Sequence, residues 1–136
     1  MTAVKEREVV GTLLNSWTET PVAWPNRDFE PPAAGEWITV TFRQGDAFQL
    51  EFGGSETAVT HRHPGVLFVQ VFSRANKGDK RCLELADGVA DIFRRARSGF
   101  SDGGMVFRTP AIRAIGVDGA YYQVNVTVPY IRDVLY

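Results

Sequence analysis

Val66-Leu67-Phe68-Val69-Gln70-Val71-Phe72, followed by the polar Ser73-Arg74-Ala75-Asn76-Lys77-Gly78-Asp79 and then by a helical repeat up to Arg97, decides the fold. Six of the first seven residues are apolar and broken only by Gln70, so both faces of the segment are apolar. Such a run predicts a strand in the middle of a sheet, covered above and below. After the turn the period changes. Cys82, Leu85, Ala86, Val89, Phe93 and Ala96 recur at steps of three and four, with Glu84, Asp87, Asp91 and Arg95 opposite, which predicts a helix laying one stripe on that sheet.

Upstream, Thr2 to Trp17 reads as a first helix that Thr2 can cap. Its apolar stripe is Val9, Val10, Leu13, Leu14 and Trp17, its wet face Lys5, Glu6, Glu8 and Asn15, and Thr20-Pro21 ends it. Pro21 to Pro25 reads as a short extended segment, Asn26 to Gly35 is unsuited by its prolines and glycine to helix and most sheet pairing, and Pro31-Pro32 is stiff and low in entropy. This segment has two readings: a loop that tucks Trp24 and Phe29 onto the core, or an arm that offers Phe29 and the prolines to another subunit. Trp37 to Arg43 alternates as a half-buried antiparallel strand, and Phe48, Leu50 and Phe52 continue the alternation.

Downstream, Met105 to Arg108 reads as a short edge strand. Ala111 to Val117 and Ala120 to Tyr130 read as a hairpin turning on Asp118-Gly119, with Tyr122, Val124, Val126 and Val128 on one face. Pro129 should limit further pairing and leave Ile131 to Tyr136 as a loose end or an edge. The fold class expected is α+β: a mainly antiparallel (mixed) sheet of about five to six strands packed with two α-helices, in a single domain over residues 1–136.

Chemistry is hard to find. A formal charge of -1 predicts no basic field for nucleic acid and little repulsion between copies. No apolar run approaches the ~20 residues that span a bilayer, and the charged N-terminus is unlike a signal peptide. The lone Cys82 lies on the apolar stripe and reads as a small buried hydrophobe. His61 and His63 would share a side of a strand, but no third and fourth ligand stands at a recognisable spacing. Gly53-Gly54-Ser55 and Gly103-Gly104 are turns rather than phosphate loops. No nucleophile–base–acid set is present, so neither catalysis nor a cofactor is expected. Arg94, Arg95 and Arg97 complement the negative end of the second helix.

Trp24-Pro25-Asn26, Phe29, Pro31-Pro32 and Gly35-Glu36-Trp37-Ile38-Thr39-Val40 carry a resemblance, as do Gly65-Val66-Leu67-Phe68-Val69-Gln70-Val71, Leu85 to Phe93, Asp118 to Val126 and Val128-Pro129-Tyr130. In that order the chain resembles the small tail terminator (tail completion) proteins of long-tailed phages and prophages. The resemblance implies a structural virion protein, assembled in the bacterial host cytoplasm, that closes the tail tube as a hexameric ring of itself. Such a ring ends tube polymerisation and contacts the tail tube protein and the head–tail connector, with no membrane and no direct nucleic-acid recognition. On that reading Trp24, Phe29, Pro31 and Pro32 meet a neighbouring subunit, and Arg62, His63, Arg94, Arg95 and Arg97 are candidates for tube or connector. Another head–tail adaptor or a tube protein is the alternative.

Overall fold

The computed structural model describes residues 2–33, 35–50, 59–96 and 105–135. The turns expected at Gly53-Gly54-Ser55 and at Gly103-Gly104, the continued alternation at Phe52, and the Thr2 cap and Arg97 side chains lie outside what is described. In chain order the elements are α1 (Thr2–Leu14), β1 (Val22–Ala23), β2 (Trp37–Gln44), β3 (Phe48–Gln49), β4 (Thr60–Arg74), α2 (Lys80–Arg94), β5 (Met105–Phe107), β6 (Ala111–Asp118) and β7 (Tyr121–Leu135). The fold is α+β, with two helices and a mixed, mostly antiparallel seven-stranded sheet.

The spine of the sheet is the antiparallel ladder between β4 and β7, paired residue for residue from Thr60↔Leu135 to Arg74↔Tyr121. Each strand is 15 residues long, roughly 50 Å at the rise of an extended chain. Outside β4 lie β2, opposite 65–72, and then β3, opposite 61–62. Outside β7 lie β6, opposite 121–127, and then β5, opposite 130–132. The two-residue β1 runs parallel to β2.

Pro129 does not end pairing, contrary to the sequence expectation: β7 continues through it to Leu135. In a strand, the N–H and C=O of one residue point to the same side. The Pro129 carbonyl accepts from Arg108 N (2.8 Å), so its missing N–H also faces outward, into the gap between β6 and β5. Pro64 repeats the arrangement in β4. Its carbonyl accepts from Gly45 N (2.9 Å), where β2 has ended and β3 has not begun. Both prolines therefore spare the central ladder.

Register places Leu67, Val69 and Val71 beside Val124, Val126 and Val128 on one face, all fully buried. Both helices pack into the cluster on that face: Val9, Val10 and Leu14 from α1, and Cys82, Leu85, Ala86, Val89, Ala90 and Phe93 from α2. The Cys82 thiol donates to Val71 O (3.4 Å), and burial pushes its ionisation up. Gly88 lets the Trp17 ring lie against α2, where a Cβ would stand about 3.0 Å from it.

Four expectations are corrected. The central strand carries helices on one face only, since both take the same side, and on the other face Val66, Phe68 and Phe72 remain half-buried. The first helix ends at Leu14, where Ser16 Oγ donates to Leu13 O (3.0 Å). Trp17 lies beyond it, with its indole N–H donated to Thr20 Oγ1 (2.9 Å). Glu6 is not on a wet face but 1% exposed. The hairpin turns on Gly119-Ala120, because Asp118 pairs Tyr121. Gly119 alone of that pair has positive φ (63°), as in a type II′ turn. A bulge at Ile115, between Ala114 and Gly116, absorbs the residue that sets this register.

Candidate assembly surface

The proline-rich segment folds back over the helix-free face of the sheet. Trp37 projects there from β2 and is only 7% exposed, because three rings enclose it. Phe72 stacks on it at 4.7 Å, Tyr121 meets it edge-on at 4.4 Å, and Phe29 lies tilted at 6.1 Å. The segment is held at several points. The Arg7 guanidinium sits 3.5 Å above the centre of the Trp24 ring, a cation–π contact. Arg74 donates to the Ala33 carbonyl, and Gly35 N to Pro32 O (2.9 Å). Gly35 has a φ of +74° and leaves the space that the Arg74 side chain fills. Just beyond it, Glu36 accepts from Arg81 of α2 (3.0 Å). Of the four residues expected at a subunit contact, Trp24, Phe29 and Pro32 are half-buried within the chain, and Pro31 is exposed.

Below this aromatic cluster comes a polar band, Thr39 Oγ1 donating to Gln70 Oε1 (2.9 Å) and Gln123 Nε2 to Asn125 Oδ1 (2.7 Å). Then the same face turns apolar, with Val66, Phe68, Pro129, Ile131 and Val106. Phe48 of β3, beside Arg62, is 51% exposed.

Arg62 and His63 are neighbours in sequence, yet the alternation of β4 sends them to opposite faces. Arg62 binds Asp133 with two bonds, Nε to Oδ1 (2.8 Å) and Nη2 to Oδ2 (3.0 Å), on the helix-free face. His63 lines a recess on the other side with Ala3, Glu6, Gln44, Gly45 and Pro64. At the end of α2, Arg94 pairs with Asp91 (2.7 Å) and borders a recess shared with Phe93, Val106, Phe107 and Arg108. Arg95 is exposed beside it. The basic positions thus form separate surfaces rather than one patch.

The bond to Arg62 holds the Asp133 carboxyl below the usual carboxylate range, with the charges of Arg62 and His63 adding to it and burial opposing. Since its folded value is depressed, the pair stabilises the fold above the ordinary carboxylate value of about 3.9. That contribution fades as pH falls through the folded value. Asp133→Asn should lower Tm by about 2–4 °C at pH 7. Melting curves of wild type and variant should converge as pH falls below the depressed folded value of Asp133; a gap that stays constant with pH would count against this role.

Sequence reading missed a buried network at the foot of α1. Glu6 Oε2 accepts from Gln44 Nε2 (2.7 Å) and from the Tyr130 hydroxyl (3.2 Å). Burial, then the Glu6 charge, raises the Tyr130 ionisation, so the phenol remains a donor. Only Glu6 at helical spacing beneath Val9 and Val10 hinted at it. Among the described residues no group of three or more His, Cys, Asp or Glu could hold a metal ion, and no helix is long and apolar enough to cross a membrane.

A family profile for phage tail terminator protein matches residues 3–130. Among solved structures, one chain superposes with a TM-score of 0.66. It is 19% identical, over 97% of this chain and 96% of its own, a likeness of fold. No curated protein sequence matches.

Proposed function

Because the chain belongs to the phage tail terminator protein family, a family of structural tail proteins, we propose that it caps the tail tube as a ring of its own copies. The ring ends tube polymerisation, sits in the virion tail and joins the tail to the head–tail connector. The observation that carries this reading is the family match over nearly the whole chain. It is supported by a half-apolar sheet face that no helix covers and by a net charge of -1, which opposes self-association little. Six copies make the ring. Trp24, Phe29, Pro31 and Pro32 border the neighbouring subunit, with Pro31 the outermost, and Arg62, His63, Arg94, Arg95 and Arg97 face tube or connector.

Electron microscopy of particles made without this gene tests the role. Over-long or variable tails unattached to heads, restored by adding the protein, are expected. Tails of normal length that fail to join heads would assign a connector-side adaptor instead, and intact particles would overturn both. Phe29→Asp should abolish ring formation and tail completion while far-ultraviolet circular dichroism stays native, since Phe29 packs only at the edge of the Trp37 cluster. A variant that still completes tails would remove the arm from the interface.

A further inference from the structure

Among the described residues two edges of the sheet, β6 and the far end of β2, have matching directions. Among the described residues β6 pairs only with β7. Pro129 faces β5 and β6, so by alternation Thr127, Asn125, Gln123 and Tyr121 do too. Their partners Ala111, Arg113, Gly116 and Asp118 therefore point inward, which turns the backbone N–H and C=O of Ile112, Ala114 and Val117 away from the sheet. Ile115 and Val117 on this strand are 52% and 62% exposed, the highest values among the exposed large hydrophobics. A long apolar edge of this kind is a template for another strand.

On the far side of the sheet, β1 pairs only Ile38 and Thr39. Ile38 N donates outward to Pro21 O (3.1 Å), so the same alternation turns Phe42 and Gln44 outward. Between the two edges the strands β2, β4, β7 and β6 are each antiparallel to the next. With four alternating strands, β6 runs opposite to β2. A second copy turned about an axis along the strands thus presents its β2 antiparallel to β6. The free part of β2 lies opposite 65–69 of β4, and β6 lies level with 68–74. That offset suits tilted strands in a closed arrangement.

Resting on the ring reading above, we infer that β6 of each copy adds to the β2 edge of the next copy, so that the sheets run on through the ring. The occupant is a second copy because this one contact satisfies both free edges. A two-fold β6–β6 pair would leave β2 open and set two bulges side by side.

Thr41 and Arg113 are exposed, stand on the two edges and share the helix-free face by register. Tails assembled with Thr41→Cys/Arg113→Cys protein and oxidised should give a ladder of cross-linked species on a non-reducing gel, absent from either single variant. Buried Cys82 takes no part. A product that stops at dimer and also forms with Arg113→Cys alone would overturn the inference in favour of β6–β6 pairing. No cross-link in tails that carry the protein at their end would overturn it and leave the terminator reading standing. Absence of the protein from tail ends would overturn that reading, and the inference with it. Ala114→Pro removes an outward N–H without touching the β7 ladder. It should keep a native Tm and lose at least tenfold in tail-completing activity, and full activity would overturn the inference.

Discussion

Gly65→Val is expected to lower Tm by about 10 °C, a loss of roughly 3 kcal/mol in a chain of this length. Gly65 lies directly opposite Tyr130 in the central ladder, and a Cβ there would overlap the Tyr130 ring. That ring is 1% exposed and has no free direction in which to move. It contacts the Phe107 ring at 6.3 Å and donates its hydroxyl to Glu6. Displacing it adds overpacking, about 1–3 kcal/mol, to a buried carboxylate left with Gln44 as its donor, again about 1–3 kcal/mol. Differential scanning calorimetry checks the shift, and a double-mutant cycle checks the cause. In a Tyr130→Ala background the same substitution should cost less than about 1 kcal/mol, because the ring it strikes is gone. An undiminished penalty there would mean that the backbone, not Tyr130, resists the side chain.

Phe93→Ala should cost about 3–5 kcal/mol, or 10–17 °C in Tm. Phe93 is 2% exposed at the last turn of α2 and meets the Phe107 ring edge-on at 5.3 Å. Phe107 in turn reaches Tyr130, so this ring joins α2 to β5 and β7. Small residues around it, Ala86 and Ala90, hold the helix close to the sheet and offer little that could collapse into the cavity. Urea unfolding should show a lower midpoint with an unchanged m value. A loss below about 1 kcal/mol would show that the helix end closes over the gap.

Where one face of an element is buried against a helix, its pattern in the chain was enough. The alternation of Val124, Val126 and Val128 and the stripe from Cys82 to Phe93 are that case, and each of these residues is buried as the periodicity requires. The pattern misleads at Val66, Phe68 and Phe72. Apolar residues on a face that a short loop covers only in part look the same in sequence as apolar residues under a full second layer, so the coverage of β4 was overestimated. Of the surfaces expected to meet partners, the proline arm was legible as a stiff segment. That Phe29 lies against Trp37 was not, because the two are joined only through the folded sheet. Arg62 and His63, both candidates for tube or connector, are sent to opposite faces by the strand's two-residue period.

The order of amino acids by itself determined the α+β class, the antiparallel strands, the two helices and the family, because these follow from periodicity and from motifs that are local in the chain. Only the tertiary structure decided that both helices share one face, that Glu6 is buried beneath Tyr130, and that Pro64 and Pro129 fit inside long strands. Each of these depends on what lies across the sheet. A proline is harmless in a ladder when its missing N–H faces a gap between two neighbouring strands, and a carboxylate can be buried when donors 38 and 124 residues away converge on it. Such partners are set by register, which emerges only when the whole sheet is assembled.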